Sequence, residues 1–276
     1  MRISNYKNNQ LAFGVNLNSP KLKLSNKDFY IRIRGYGKNS NWAEEIKKTT
    51  NKAVGMIRKN WSIETVLINI AEGVKDANMY VLDSHLRANT GVLRNCRDGW
   101  ECVNPENIFN NVIVTPYNNN KYKSYEKRLD ERKSNPINNP FNNIGLARID
   151  FSKIIREKCI YHPSPFYLND VFSHIEKIYS FIQENFIKKE IKPEGISIAN
   201  EKIAEIRWVL AHSMPWLRGT DSISNSLLRA IYKAMGVKTY PAAKGVSFDL
   251  EAFCTNLEDY KKNFANLFEK PPEVIE

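Results

Sequence analysis

The sequence lacks the features that mark several common classes of protein. Only four cysteines occur in 276 residues, without a Cys-x-x-Cys pair, so neither a disulfide framework nor a zinc site is indicated. The four histidines are scattered and add no pattern of metal ligands. No apolar run reaches the roughly 18 residues of a membrane span, and the opening MRISNYKNNQ has no apolar core of a Sec signal peptide. We therefore expect reduced thiols and no requirement for a metal.

Acidic residues are scarce at the start of the chain. In residues 1–60, thirteen Lys and Arg stand against three acids, whereas the remainder is close to neutral within a net charge of +11. Residues 1–40 are polar and rich in asparagine, and we predict a basic, poorly structured leader that contributes little to the core. Such a segment suits secretion or an anionic membrane surface, or is a solvated tail. Nucleic acid is not indicated, because no aromatic stacking platform accompanies the charge.

Glycine and proline are also sparse, at twelve each, and apolar residues recur at helical spacing along most of the chain. The predicted helices cover 42–59, 62–80, 168–186, 200–212, 222–235 and 257–268, with a short one that opens at Asp249. A β-like piece spans 112–116, and residues 117–143 have no periodicity over their middle part, which predicts a surface excursion. The pattern predicts a mainly α protein with a small β element (α+β).

The segment SMPWLRGTDS, residues 213–222, joins two of these helices. Pro215 ends the first helix, and Gly219 lets a ligand approach the backbone just before the second. The free N–H groups from Thr220 onward and the positive helix end favour an anion, and Arg218 adds a bidentate phosphate donor. The alternative is an ordinary loop in which Thr220 or Asp221 caps the helix and Arg218 pairs with a nearby carboxylate.

The same segment resembles the Fic motif, His-Pro-Phe-x-Asp-Gly-Asn-Gly-Arg. Pro215, Trp216 and Gly219 match, whereas Met214 stands in place of the motif histidine and Ser222 in place of its last arginine. The histidine is the general base of AMP transfer, so AMP or nucleotidyl transfer with a degenerate motif is only an alternative.

A closer resemblance is to the AvrB family of bacterial type III secretion effectors, which shares the Fic-like (Fido) fold. It is carried by four stretches: IAEIRWVLAHSMPWLRG at 203–219, AIYKAMGV at 230–237, SFDLEA at 247–252 and HPSPFYL at 162–168. The resemblance implies one Fido-like helical domain over 41–276, with 117–160 as a reduced satellite lobe or loop excursion. It also implies delivery by a type III system to the host cytoplasm or inner membrane surface. The start Met1-Arg2 lacks the Met-Gly of N-myristoylation.

The resemblance further implies an activity. Family members resemble protein glycosyltransferases that move a deoxyhexose such as rhamnose from a nucleotide-diphosphate sugar, of the UDP or dTDP type, to Thr or Ser of a host target protein. No bound cofactor and no metal are implied. By position, Arg218, Asp249 and His162 correspond to the family's cleft arginine, aspartate and histidine, and Thr115 is the candidate for its cleft threonine or an acceptor.

These residue types suit glycosyl transfer. Arg218, Gly219, Thr220 and His162 would neutralise and hold the diphosphate, while the Asp249 carboxylate would take the acceptor proton or stabilise positive charge at the sugar. Plainer interpretations remain open, because Asp249 could only cap its helix and His162 could only be packed in a loop. The competing function is a catalytically inert effector that binds a nucleotide or a host protein.

Overall fold

The computed structural model describes residues 22–33, 38–94, 114–117, 120, 122–141, 145–148, 155–156 and 158–275. Within these ranges the chain is mainly helical with short strands, as the sequence predicts. The helices are α1 (Ser40–Arg58), α2 (Ile63–Ala77), α3 (Ser84–Ala88), α4 (Glu126–Ser134), α5 (Leu168–Ile182), α6 (Ile196–Ser213), α7 (Thr220–Ala234), α8 (Phe248–Cys254) and α9 (Leu257–Asn263). The strands are β1 (Val114–Pro116), β2 (Ile155–Arg156), β3 (Cys159–Tyr161), β4 (Val237–Lys238) and β5 (Glu273–Val274).

Helix α6 forms the centre of the molecule. Every residue from Ile203 to Ser213 is buried, because α5, α7, α8 and α9 all pack around it. A helix enclosed on all sides needs no polar face, and Trp208 accordingly packs inside the core with its indole N–H donated to the Thr255 carbonyl. Helix α6 begins at Ile196, four residues earlier than the periodicity predicts, and ends near the predicted place.

Helices α1, α2 and α7 form a second layer. α1 packs against both α2 and α7 through one apolar face, which the spacing of its apolar residues predicts. Ser62 caps α2 by accepting the backbone N–H of Thr65, as expected for the start of that helix. Among the described helices, none is both long and apolar enough to cross a membrane.

A small antiparallel sheet adjoins the C-terminal end of α6. β3 is its central strand, with β1 on one side and β2 on the other, and Thr115 lies opposite Ile160. His162 directly follows β3. This register therefore brings two candidate residues that are distant in sequence, Thr115 and His162, to the same end of the sheet.

We predict that residues 1–40 are poorly structured and contribute little to the core, and this prediction is wrong for residues 22–33. Ser25 caps a short 3₁₀ turn, Asn26–Phe29, that packs on α1 and α7. Phe29 and Ile33 are buried in the core, and Asp28 lies 3.7 Å from the buried Arg229. Apolar residues at irregular spacing carry no periodic signal, although tertiary packing buries them. Residues 1–21 and 34–37 lie outside the described residues.

The described part of 117–143, residues 117, 120 and 122–141, is also more ordered than the sequence predicts. They contain α4, and Tyr117, Tyr125 and Leu129 are buried. The Tyr125 hydroxyl donates to Glu251 of α8 at 2.8 Å, and Arg128 makes a bidentate ion pair with the same carboxylate. A strongly charged helix with a narrow apolar stripe carries little periodicity, so its helical character depends on these contacts with α8.

Candidate functional site

The tip of the α6–α7 hairpin is held by a neighbouring strand-like segment. Backbone N–H groups of Gly91 and Arg94 donate to the carbonyls of Arg218 and Pro215, and Leu217 donates to Val92. Met214 ends α6 in the left-handed region at φ 40°, a conformation that is strained for a residue with a side chain. Pro215 follows, so the chain leaves the helix where the sequence predicts.

The N-terminus of α7 carries no side-chain cap within the described structure. The capping position is Gly219, whose φ of 94° favours glycine, and an added Cβ would lie 3.2 Å from Thr90 Cγ2. Neither Thr220 nor Asp221 caps the helix, so that alternative is wrong. The hydroxyl of Thr220 is buried and finds no hydrogen-bond partner in the described part of the chain. First-turn N–H groups are therefore available to a ligand.

The side chain of Arg218 directly precedes this helix end. It is half-buried, and no hydrogen bond or ion pair of its guanidinium is found among the described residues. The second part of the ordinary-loop interpretation, a local carboxylate partner for Arg218, is therefore not observed. A fixed positive charge, a left-handed glycine and an uncapped helix end together form an arrangement that can take an anion.

Thr115, His162 and Met214 form what we call the neutral cluster. The Thr115 hydroxyl lies 2.9 Å from His162 Nε2 and 3.6 Å from Met214 Sδ. His162 Nδ1 lies 3.1 Å from the carbonyl oxygen of His212. Because a carbonyl only accepts, Nδ1 carries the proton, and Nε2 accepts from the threonine. The structure thus brings Thr115 and His162 together, although the sequence places them 47 residues apart.

Burial keeps this cluster uncharged. It lowers the pKa of His162 to about 3, and the positive charge of nearby Arg94 adds to the effect. Arg94 is buried and donates to the carbonyls of Pro163, Ser213 and Met214. Sequence reasoning missed Arg94, since no motif surrounds it. A neutral, enclosed His162 is a hydrogen-bond acceptor for Thr115 rather than a phosphate-binding cation in this conformation.

Arg207, Asp221 and Asp249 form what we call the charged cluster. Arg207 Nη2 on α6 hydrogen-bonds Asp221 on the first turn of α7, and lies 2.7 Å from Asp249 Oδ1 on the first turn of α8. Asp249 does not cap its helix, because the capping position is Ser247. The plainer interpretation of Asp249 is therefore wrong, and the residue instead belongs to a buried ion network.

The charged cluster contains two acidic groups and only one basic group. Burial raises the pKa of Asp249 well above its ordinary value, Arg207 opposes this, and the like charge of Asp221 adds to it. Two carboxylates that face one guanidinium cannot both be fully balanced. Arg207 and Asp221 were missed as functional candidates. Nothing in the sequence marks Arg207, although the helical spacing of 203, 206 and 210 places it off the apolar stripe that the sequence predicts.

Helix α8 connects the two clusters. Asp249 faces Arg207, and Phe253, one turn later, packs its ring 5.7 Å from that of His162. Among the described residues, Arg218, His162 and Asp249 make no direct side-chain contact with one another. They belong to neighbouring parts of one region: the hairpin tip, the end of β3 and the start of α8.

The cleft beside the charged cluster is narrow. A cavity of about 20 Å³ lies between the N-terminal segment and the first turns of α7 and α8, which is room for about one water molecule. Its lining residues are Asp28, Tyr30, Ile31, Asp221, Asn225, Ala242, Val246, Ser247 and Phe248. A nucleotide does not fit there unless residues 28–31 move. In the described parts of the chain, no group of three His, Cys, Asp or Glu side chains is arranged to hold a metal ion.

Comparison with protein-family models identifies a family for the chain. The family model AvrB_AvrC, described as avirulence protein, matches residues 105–271. That range contains Thr115, His162, Arg218 and Asp249, together with Arg207 and Asp221. A search of curated proteins finds no significant match.

Proposed function

The chain belongs to the AvrB/AvrC family of avirulence proteins, bacterial effectors that act in host cells, and on that premise we propose that it is a glycosyltransferase. It would move a deoxyhexose such as rhamnose from a nucleotide-diphosphate sugar to a threonine or serine of a host protein. The proposal includes a Fido-like helical core and delivery by a type III system.

The observation that carries the proposal is the uncapped N-terminus of α7. Arg218, the left-handed Gly219 and the unpartnered Thr220 hydroxyl come together there. A departing diphosphate would be stabilised by the guanidinium and by the first-turn N–H groups, without a metal. Asp249, one helix away, would take the proton of the acceptor hydroxyl.

The hydrogen bonds of the neutral cluster support a role for Thr115 and His162 in positioning groups of the cleft. Neutral His162 holds the Thr115 hydroxyl beside the hairpin tip, and both line the end of α6. Because burial lowers the pKa of His162 to about 3, it is a weak base. We therefore assign the proton transfer to Asp249, and assign His162 to the shape of the cleft.

Transfer of AMP is disfavoured by Met214. It stands where the Fic motif has its histidine, and a thioether cannot accept the proton that the reaction releases. Its strained backbone and its contact with Thr115 suit a structural part at the hairpin tip.

An inert binding effector is the second candidate, and the narrow cleft favours it. A cavity of about 20 Å³ beside Asp221 leaves no room for a sugar nucleotide in this conformation. In this case a host protein would dock on the closed surface, and the buried ion network would only stabilise the fold.

Incubation of the purified protein and a host lysate with UDP-rhamnose, dTDP-rhamnose and ATP separates these functions. Peptide mapping should find a deoxyhexose on Thr or Ser in the rhamnose samples. An Asp249→Asn variant should keep its fold and its nucleotide affinity while transfer falls, since the amide keeps the shape but cannot take a proton. If no peptide is modified and the Asp249→Asn protein retains full effect on host cells, the binding function holds and the transferase does not.

A further inference from the structure

The two acids of the charged cluster come from the first turns of two different helices. Asp221 belongs to α7 and Asp249 to α8, and both reach the same nitrogen, Nη2 of Arg207, which lies on α6. Arg207 is 1% exposed, whereas the side chains of Asp221 and Asp249 are 29% and 16% exposed. The buried guanidinium is thus contacted by two carboxylates that are partly exposed.

Not all hydrogen-bond donors of Arg207 have an acceptor among the described residues. Its Nε and Nη1 atoms are buried and find no acceptor within the described structure, and Oδ1 of Asp249 has no well-aligned donor there. The ring of Phe248 lies 5.7 Å from the guanidinium carbon and closes one side. Packing alone would favour an arginine whose donors are all satisfied, because each unmet buried donor costs about 1–3 kcal/mol.

One more titratable group faces the cluster. Tyr260 of α9 interacts electrostatically with Arg207, Asp249, Asp221 and Glu251, and burial raises its pKa well above the ordinary value. It is therefore neutral at physiological pH, and its hydroxyl donates to the Phe248 carbonyl. The cluster then holds one fixed positive charge and two acids, so it favours a single proton shared between the carboxylates.

We propose that Asp221 and Asp249 act as one proton-sharing pair in the transfer reaction, and that Arg207 is the positioning residue that holds them together. The acceptor Oγ would form the new bond to the anomeric carbon as the bond from that carbon to the diphosphate oxygen breaks. The bonding electrons would leave with the diphosphate. The shared proton would first lie on the more exposed Asp221, so that the Asp249 carboxylate takes the acceptor proton, and Asp221 would then release its proton to solvent. The kinetic part rests on the proposed glycosyl transfer, whereas the shared proton does not.

The first test follows the carboxyl carbons of ¹³C-labelled aspartates in the full-length protein by NMR across a pH series. Asp249 should titrate well above a free aspartate, and Asp221→Asn should move its midpoint at least about 1 pH unit lower by removing the like charge. Asp170→Asn is the matched control, since Asp170 also lies in the first turn of a helix but is exposed on α5. An unchanged Asp249 midpoint in Asp221→Asn overturns the proposal.

The second test is kinetic. Arg207→Lys should lower kcat at least tenfold with KM within about threefold, and the pH profile of kcat in Asp221→Asn should move to lower pH. Arg207→Lys should also retain more activity than Arg207→Met, because one charge is kept. Unchanged kcat and pH profile in these variants overturn the catalytic part. If the wild type transfers no sugar at all, the proposed function fails, and the NMR midpoint alone decides whether the acids share a proton.

Discussion

The two clusters at either end of one stretch of α6 satisfy their polar groups in opposite ways. In the neutral cluster, Thr115 and His162 are hydrogen-bonded to each other and to the backbone, and no charge is present. In the charged cluster, Arg207 faces two carboxylates and leaves two buried donors unused. A satisfied neutral network holds a shape, whereas an unbalanced charged one can exchange a proton. This difference supports the proposal that the neutral cluster fixes the geometry of the site and that the charged cluster transfers the proton.

The largest effect is expected from removing the guanidinium of the charged cluster. Arg207→Met would leave the partly exposed carboxylates of Asp221 and Asp249 without their buried counter-charge. The loss should approach the roughly 3–5 kcal/mol that follows removal of one partner of a buried pair. Urea unfolding at neutral pH measures this loss. Arg128→Met is the control, because its pair with Glu251 is more exposed and a smaller loss is expected. Equal losses in the two variants would contradict the distinction.

Arg218 lies in the sequence between Met214 of the neutral cluster and Asp221 of the charged cluster. Its loss should weaken ligand binding more than it lowers the stability of the fold. Arg218→Ala should reduce the transfer rate about a hundredfold or more, roughly 3 kcal/mol in the transition state, and should remove nucleotide-diphosphate binding. Arg218→Lys should recover only part, since a point charge does not reproduce the planar fork. Calorimetry with UDP and dTDP measures binding, and Arg87→Ala on α3 is the control. Undiminished affinity in Arg218→Ala would exclude the anion site.

The clusters should respond to pH in opposite directions. Burial lowers the pKa values of His162 in the neutral cluster and of the adjoining His212 to about 3, so the stability they contribute is full above about 6.5 and is lost as pH falls. At pH 5 each should cost about 2 kcal/mol. Burial raises the pKa of Asp249, so its contribution is present at low pH and is lost as pH rises.

Urea unfolding between pH 5 and pH 8 tests this opposition. The double variant His162→Gln/His212→Gln should flatten the acid side of the stability curve, and Asp249→Asn should flatten the alkaline side. Identical curves for all three proteins would show that neither cluster governs the pH dependence.

The smallest effect is expected at Thr115. Thr115→Val keeps the shape but leaves His162 Nε2 without its donor, which should cost about 1 kcal/mol. Thr115→Ser keeps the hydroxyl and should cost less. Thermal unfolding of the two variants side by side measures the difference, and a Thr115→Val protein as stable as Thr115→Ser would mean that the hydrogen bond adds nothing to the neutral cluster.

Much of the fold could be predicted because long amphipathic helices carry their own pattern. The apolar spacing of α1, α2, α5 and α7 indicates each helix, and Pro215 and Gly219 mark the break between α6 and α7. Residues 22–33 and α4 could not be predicted in this way. Phe29 and Leu129 are buried by contacts with distant elements, and such contacts leave no local period.

The residues of the candidate site also fall into two groups: those that a local sequence pattern identifies and those that only tertiary contacts bring together. Arg218 and Gly219 could be identified from the sequence, because an arginine and a glycine before a helix form an anion-binding pattern that is local. The pairing of Thr115 with His162 depends on the register of β1 on β3, and the meeting of Arg207, Asp221 and Asp249 depends on how three helices pack. Arg94 and Arg207 have no motif, so their parts follow only from their contacts.

By itself, the sequence determined that the chain is mainly helical, where the central hairpin turns, that its first sixty residues are strongly basic, and which family it resembles. These properties follow from periodicity, from proline and glycine, and from charge counts, which are all local or additive. Only the tertiary structure decided that His162 is neutral, that Asp249 shares an arginine with Asp221, and that residues 22–33 join the core. Those properties arise from burial and from charges brought together across distant positions, and desolvation and Coulomb energies depend on distances in space rather than along the chain.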